Sequence, residues 1–382
     1  MICSLPPEIL DIVIDDLHDQ PTTLGACCLV SKSLVPRSRT HIFARVEFNE
    51  PGPSIRRWIA AFPDPLNSPA HYTRTLTVIG LRLVTGTGED VTPWIRAFHN
   101  VVHLHVETKC WSGPDLASHV PFHGLSPAIR SLRLESPDTQ PSIIFKLICS
   151  FPLLEDLTLL TLISAPAPDE WTTPSTSPTL TGSLLLSGGI SPTITRRLLD
   201  LPNGLHFTKI TLEPLHGSDP DLTADLVSRC SDTLEYLDIT KGTLGVFPHS
   251  LCLTKTLPPP LDPATTLIDL SRATKLKHLV FRCDRPSVQW ITMTLQTVGS
   301  KGLRQITLWV DGRIFIPINL ETVYREWLDL DQLLVQFWTS DSIRPTVTYV
   351  KRPIGKDIGY YAPCLLPELT GRGLVDLVRY KR

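Results

Sequence analysis

The segment HNVVHLHVE holds three histidines whose spacing could serve metal binding. His103 and His105 lie two residues apart on a predicted strand, so their side chains point to the same face, and Glu107 follows at the same spacing. A zinc site needs three or four ligands and neighbouring groups that orient those ligands through hydrogen bonds. Because no cysteine or carboxylate motif stands nearby, we interpret the histidines as surface residues and predict no metal and no other cofactor.

The sequence contains none of the motifs that would define a common enzyme site. We find no G-x-x-x-x-G-K-[ST] phosphate loop, no H-E-x-x-H helix and no G-x-S-x-G turn. We therefore expect no catalytic residues and a non-enzymatic role. A hydrolase or transferase on an α/β scaffold is the alternative, and it would require a nucleophile with a base and an orienting group.

Composition and charge are typical of an intracellular globular protein. The formal charge of -2 gives no basic field for nucleic acid, and no window approaches the roughly 18 consecutive apolar residues of a membrane span. Prolines and acidic residues interrupt the N-terminal apolar run, unlike in a secretory signal. The nine cysteines form no C-x-x-C pair, which favours a reducing compartment, the cytoplasm or the nucleus. Neither nucleic acid nor a membrane is an expected partner.

Three short amphipathic helices are predicted in the first 50 residues. Apolar residues recur at three- and four-residue steps from Ile9 to Leu17, behind two prolines suited to a first helical turn. A second run covers residues 24–30, and a third passes through Phe43 and Val46. Such a small segment buries too little surface to be stable alone. It either packs on the rest of its own chain or docks on another protein.

The stretch LPPEIL…CCLVSKSL closely resembles the F-box, a three-helix motif that docks on the Skp subunit of cullin-RING ubiquitin ligases. The similarity covers Leu5 to about Phe48 and implies an F-box-like domain at residues 1–50. It also implies a Skp-type adaptor subunit and a cullin scaffold as partners. Leu34 stands where the family usually has Trp, and Phe43 matches a closing aromatic. The residues that the resemblance places against the Skp subunit are Leu5, Pro6, Leu10, Val30, Lys32 and Leu34.

A six-residue pattern, apolar at positions one, four and six, recurs after residue 50. Together with three weaker copies, most successive copies lie 25 to 28 residues apart, as leucine-rich repeats do, and two longer gaps indicate insertions. The seven clear copies are Val101/Leu104/Val106, Ile129/Leu132/Leu134, Leu154/Leu157/Leu159, Phe207/Ile210/Leu212, Leu234/Leu237/Ile239, Leu276/Leu279/Phe281 and Leu303/Ile306/Leu308.

Helical patterns precede the predicted strands, for example LIDLSRA before Leu276 and VQWITMTLQTVG before Leu303. A strand and a helix repeated at this period bury one side of each element only when the repeats stack. Residues 51–382 are therefore predicted to form an irregular leucine-rich-repeat-like α/β solenoid, a horseshoe or arc. This part resembles the arrays that follow many F-boxes, although the family's Asn ladder is missing. An ordinary α/β domain with parallel strands is the alternative.

Strand alternation places the residues beside positions four and six on the opposite, concave face. Their mixed charges and interspersed aromatic residues suit a protein surface better than a phosphate backbone. The predicted target-binding residues are His103, His105, Arg133, Tyr236, Asp238, Arg282 and Trp309.

These expectations combine into one function. The chain is predicted to be the substrate-recognition adaptor of an SCF-type (Skp–cullin–F-box) E3 ubiquitin ligase, which captures an unknown target protein with its repeat array. A protein-interaction scaffold that works independently of a ligase is a further alternative.

Overall fold

The computed structural model of the chain describes residues 6–49, 54–79, 92–107, 125–135, 141–160, 177–188, 192–213, 220–241, 267–283, 288–311, 320–341, 344–351 and 365–379. The chain divides into two compact units. The first comprises Met1–Asp156 and Ser164–Pro178, and the second comprises Leu157–Ile163 and Thr179–Arg382.

The first unit begins with helices and continues as strands separated by helices. Two short 3-10 helices, Pro65–Asn67 and Pro69–Tyr72, precede its second strand. Its other elements are α1 Pro7–Asp16, α2 Pro21–Val30, α3 Val35–Ile42, β1 Arg45–Asn49, α4 Ile55–Ala61, β2 Thr75–Ile79, α5 Thr92–Arg96, β3 His103–Glu107, β4 Ser131–Glu135 and α6 Pro141–Cys149.

The second unit alternates strands and helices through most of its length. Its elements are β5 Asp156–Leu160, β6 Ser183–Ser187, α7 Pro192–Leu199, β7 Lys209–Leu212, α8 Pro220–Arg229, β8 Tyr236–Lys241, β9 His278–Cys283, α9 Gln289–Gln296, β10 Gln305–Asp311, α10 Leu320–Asp341, β11 Arg344–Lys351, α11 Pro367–Gly371 and β12 Val375–Arg379.

Within each unit the strands pair in parallel and in chain order. In the first unit β1 pairs with β2, β2 with β3 and β3 with β4. In the second unit the same rule holds from β5 to β12. The predicted α/β class is confirmed, and this order is compatible with a solenoid, in which each repeat contacts its neighbours. Within the described ranges, no helix combines the length and apolar character needed to cross a bilayer.

The six-residue pattern corresponds to the buried side of each strand. In β3, for example, Leu104 and Val106 are buried while His103 is exposed, as the two-residue period of a strand requires. The first residue of the pattern, Val101 in this copy, lies just before the strand and is also buried. The three apolar positions are buried in all seven copies.

The strands begin with a recurring backbone arrangement. The carbonyl of Arg74 accepts hydrogen bonds from the N–H groups of Val102 and His103 at 2.8 and 3.0 Å. The carbonyl of Glu235 accepts the corresponding pair from residues 277 and 278 at 2.8 and 3.1 Å. One carbonyl oxygen thus receives the first two N–H groups of the next repeat, which fixes the parallel register.

Serine and threonine hydroxyls satisfy backbone groups between repeats in the second unit. The hydroxyl of Ser300 lies 3.1 and 2.9 Å from the carbonyl oxygens of Thr274 and Leu276, which share its single proton. The hydroxyl of Thr297 accepts the N–H of Leu270 at 2.9 Å. These groups meet the requirement that buried backbone atoms find hydrogen-bond partners.

Three elements differ from the sequence expectations. Val46, predicted within a third helix, lies in β1, because Val46 and Phe48 alternate with exposed neighbours at the strand period. The predicted helix LIDLSRA is wrong. Residues 267–273 are irregular with a turn at 271–272, where the Asp269 carboxylate accepts the N–H of Ser271 at 2.9 Å and competes with helical hydrogen bonding. The second long gap contains α10, whose buried face includes Trp327 and Leu330.

An aromatic cluster joins the N-terminal helices to the strands of the first unit. Phe43, which ends α3, packs edge-on against Trp58 and Phe62 of the next helical segment at 6.0 and 6.1 Å between ring centroids. Trp58 also contacts Phe48 of β1 and Phe98, which follows α5. The cluster therefore spans the predicted domain boundary at residue 50, a position outside the described ranges.

Candidate interaction surfaces

Helix α1 carries apolar side chains on two opposite faces. Ile14 is buried on the inner face, whereas Ile9, Ile12 and Val13 are 44%, 57% and 49% exposed. These three residues, spaced i, i+3 and i+4, share the outer face of the helix. We call them the α1 stripe.

The end of α2 exposes two further aliphatic side chains. Leu29 is 90% exposed and Val30 is 80% exposed. Of the exposed apolar residues on α1 and α2, only Val30 was selected from the sequence. The i, i+3, i+4 spacing in the sequence could have identified the α1 stripe as one face of the helix, distinct from the face that carries Ile14. Several large aliphatic side chains in water on one small helical segment mark a surface that another protein can cover.

The other residues that the F-box resemblance selects lie at the starts of helices or between them. Pro6 is the exposed N-cap of α1, and Lys32 is exposed after α2. Leu10 and Leu34 are partly buried, and Leu34 is the N-cap of α3. Leu5 lies outside the described residues.

A carboxylate fixes α1 against α3. The guanidinium of Arg37 donates to both oxygens of Asp15, at 2.6 Å from Nε and 2.5 Å from Nη2. Nε2 of His41 lies 2.8 Å from the same carboxylate. Hydrogen bonds from Arg37 and His41 hold the pKa of Asp15 well below its usual range, and the same ion pair raises the pKa of Arg37. The network holds the helix that presents the α1 stripe.

The polar face of β3 and β4 brings one imidazole and two carboxylates together. Glu107 lies beside Glu135 in the strand register, and His105 lies beside Arg133. Potential ligand atoms of His105, Glu107 and Glu135 all lie within 4.8 Å of one another. Nη2 of Arg133 is 3.7 Å from Oε2 of Glu135.

His105 has an unusual environment for a histidine on a polar strand face. Burial is the main cause that lowers its pKa, and the positive charge of Arg133 adds to the effect against the opposing influence of nearby glutamates. Its Nε2 atom is buried and makes no hydrogen bond within the part of the chain described here. His103, which the sequence grouped with it, is exposed and does not belong to the cluster of three possible ligands.

The polar face of the second unit joins charged and aromatic side chains across four strands. Arg282 on β9 pairs with Asp238 on β8 and lies over the ring of Trp309 on β10, 5.8 Å from its centroid. The ammonium of Lys209 on β7 lies 4.9 Å from the ring centroid of Tyr236. Such cation–π contacts order exposed aromatic rings.

Exposure distinguishes the roles of the predicted target-binding residues in this second unit. Trp309 is 37% exposed and the side chain of Arg282 is 44% exposed, so a partner can reach both. The side chain of Asp238 is only 2% exposed. Asp238 therefore positions Arg282 and does not itself offer a contact surface.

No family model matches the chain, and no curated protein is significantly similar to it.

Proposed function

We propose that the chain is the substrate-recognition adaptor of an SCF-type E3 ubiquitin ligase. In this proposal α1–α3 form an F-box-like module that docks on a Skp-type subunit. The observation that carries it is the exposed aliphatic surface on α1 and α2, in the segment that resembles the F-box. Exposed aliphatic groups favour association, because burial removes their apolar area from water.

The proposed docking surface combines two sets of residues. The motif supplies Leu5, Pro6, Leu10, Val30, Lys32 and Leu34. The exposed α1 stripe and Leu29 extend this set. A mixture of aliphatic anchors with a lysine at the edge is consistent with an interface that has an apolar centre and a polar rim.

Target capture is assigned to the polar strand faces of a leucine-rich-repeat-like array. Tyr236, Arg282 and Trp309 belong to the residue types that most often dominate binding energy in interfaces. These three residues lie on β8, β9 and β10, which are neighbouring parallel strands of one sheet. The proposed contribution of this chain to ubiquitin transfer is proximity, which raises the effective concentration of the target near the charged carrier, while other subunits perform the chemistry.

The decisive test compares two leucines of equal exposure. Leu29 on α2 is 90% exposed, and Leu66 in the 3-10 helix Pro65–Asn67 is 91% exposed. We expect Leu29→Asp to weaken binding of a purified Skp subunit at least ~10-fold, because it places a charge in an apolar interface. Leu66→Asp should bind like the wild type. Both variants should keep the far-ultraviolet circular dichroism of the parent.

Copurification from cells provides a second test of the adaptor proposal. The wild-type chain should retrieve both a Skp subunit and a cullin from extract. If the wild-type protein retrieves neither, or if Leu29→Asp and Ile12→Asp both bind the purified Skp subunit as tightly as the wild type does, the adaptor proposal is wrong.

A further inference from the structure

We propose that His105, Glu107 and Glu135 form a binding site for a divalent transition-metal ion such as Zn²⁺. The sequence alone grouped His103, His105 and Glu107, which lie two positions apart on one predicted strand. The missing third ligand, Glu135, comes from the neighbouring strand, because the β3–β4 register places it directly beside Glu107. This site is independent of the proposed docking on a Skp subunit.

The geometry of the three side chains suits one small ion. Their ligand atoms lie within 4.8 Å of one another. Nitrogen and carboxylate ligands lie about 2.0–2.2 Å from zinc, so two ligands of one tetrahedral ion are separated by about 3.4 Å. A small inward rotation of the flexible glutamate side chains brings the ligand atoms from within 4.8 Å to this spacing, while the strand backbones stay in register.

Two features of the cluster point to a cation. Glu107 and Glu135 lie side by side on adjacent strands, where like charges are destabilising unless a positive charge lies between them. The buried Nε2 atom of His105 has no hydrogen-bond partner among the described residues, although buried polar atoms normally have one. A divalent ion bound by the imidazole of His105 would neutralise both carboxylates at once.

The ligand set selects the class of metal. One imidazole with two carboxylates suits zinc and neighbouring first-row ions, whereas calcium and magnesium prefer oxygen ligands alone. Two carboxylates also balance the charge of a divalent ion. Three protein ligands leave at least one coordination position for water, because structural zinc sites usually use four protein ligands.

Arg133 is the competing cation at this site. Its guanidinium lies 3.7 Å from Glu135, and its side chain is half exposed. Arg133 can therefore turn toward solvent when a metal ion binds. Removing its charge should strengthen metal binding, a result that a purely structural role of the cluster would not produce.

The test uses the full-length protein, freed of metal with a chelator and then titrated with Zn²⁺ and separately with Co²⁺. Calorimetry gives affinity and stoichiometry, and the visible absorption of Co²⁺ reports the ligand type. We expect His105→Ala and the near-isosteric Glu135→Gln each to lose one bound ion, or to bind it at least ~10-fold more weakly. His103→Ala, which removes an exposed histidine from the same strand, should bind like the wild type. Arg133→Gln should bind more tightly.

The outcomes separate this site from binding elsewhere. Circular dichroism of each metal-free variant establishes that it is folded, and Glu135→Gln serves as the test if His105→Ala is not. Unchanged stoichiometry and affinity in the folded variants would overturn the proposal. So would a Co²⁺ spectrum dominated by sulfur-to-metal charge transfer, which would assign the ion to cysteines.

Discussion

The guanidinium of Arg282 donates hydrogen bonds to both carboxylate oxygens of Asp238, from Nε to Oδ1 at 3.0 Å and to Oδ2 at 3.3 Å, and from Nη2 to Oδ2 at 2.7 Å. The pair runs diagonally between β8 and β9, since Asp238 lies beside Val280 in the register. It buries the carboxylate and leaves the guanidinium accessible. An exposed guanidinium on this strand face thus depends on a buried carboxylate for its position.

Arg282→Ala should destabilise the fold, because it leaves the buried carboxylate of Asp238 without its charged partner. We expect a loss of about 2–3 kcal/mol in the free energy of unfolding, measured by urea denaturation. Lys277→Ala breaks the more exposed ion pair with Glu235 and should change stability little. Equal losses in the two variants would contradict this account of Asp238.

Trp309→Ala should remove target capture without loss of Skp binding. Trp309 is exposed, and its ring is held under Arg282, so it can present apolar area to a partner at low entropic cost. Mass spectrometry of copurified proteins should show the Skp subunit retained and one or more other partners lost. Leu66→Asp is the control for a surface change elsewhere. An unchanged partner set would exclude Trp309 from the target site.

Gly299→Ala should be destabilising, because its Cβ would lie 2.8 Å from the carbonyl oxygen of Ser271 in the preceding repeat. We expect a loss of about 1–3 kcal/mol from the forced backbone shift. Gly25→Ala in α2 is the matched control, since its Cβ meets nothing within 4 Å and alanine favours the helix by about 1 kcal/mol. Thermal unfolding should move in opposite directions in the two variants.

Asp331→Ala should loosen α11. Asp331 on α10 is 1% exposed and accepts the N–H groups of Glu368 and Leu369 at 2.8 and 3.1 Å. Removing it leaves these donors unpaired, at a cost of about 1–3 kcal/mol measured by urea denaturation. Asp329→Ala, an exposed change on the same helix, should have little effect.

The effect of Asp331→Ala should also depend on pH. Burial raises the pKa of Asp331, so the folded state binds its proton more tightly than the unfolded state does. Stability from this group is therefore complete below its unfolded pKa and declines as pH rises through the folded pKa. The difference between wild type and Asp331→Ala should be larger at about pH 4.5 than at about pH 8. The reverse trend would show that the hydrogen bonds from Glu368 and Leu369 affect the pKa of Asp331 more than burial does.

Asp15→Asn should loosen α1 from α3 and weaken docking. The pKa of Asp15 is depressed, so its stabilising effect is complete above the unfolded value of 3.8 and is lost as pH falls toward the folded value. Circular dichroism at neutral pH should show reduced helical stability in Asp15→Asn, and the difference from wild type should shrink in acid. Asp16→Asn changes the same charge on an exposed neighbour and should behave like the wild type.

The strand pattern was predictable because each strand exposes one row and buries the other. Leu104 and Val106 therefore identify β3 without any knowledge of its neighbours. Val46 and Phe48 carry the same signal in β1, but the preceding helical run obscured it. The order and type of most elements follow from such local periodicity.

Contacts between residues distant in the chain were not predictable in the same way. Arg37 reaches Asp15 across 22 positions, and Arg282 reaches Asp238 across 44 positions. Glu135 meets Glu107 only because the lengths of the intervening segments set the register. The sequence shows that these residues are charged, but which of them form ion pairs depends on how the strands pair and the helices pack.

Pairing in chain order also bears on how the protein is made. When a strand of the second unit leaves the ribosome, the strand on which it must pair has already been synthesised. Even β9, which follows β8 after the longest of these insertions, can add to an existing edge. Growth of this sheet can therefore keep pace with translation, one repeat at a time, because each described strand of the second unit pairs with its neighbours in chain order.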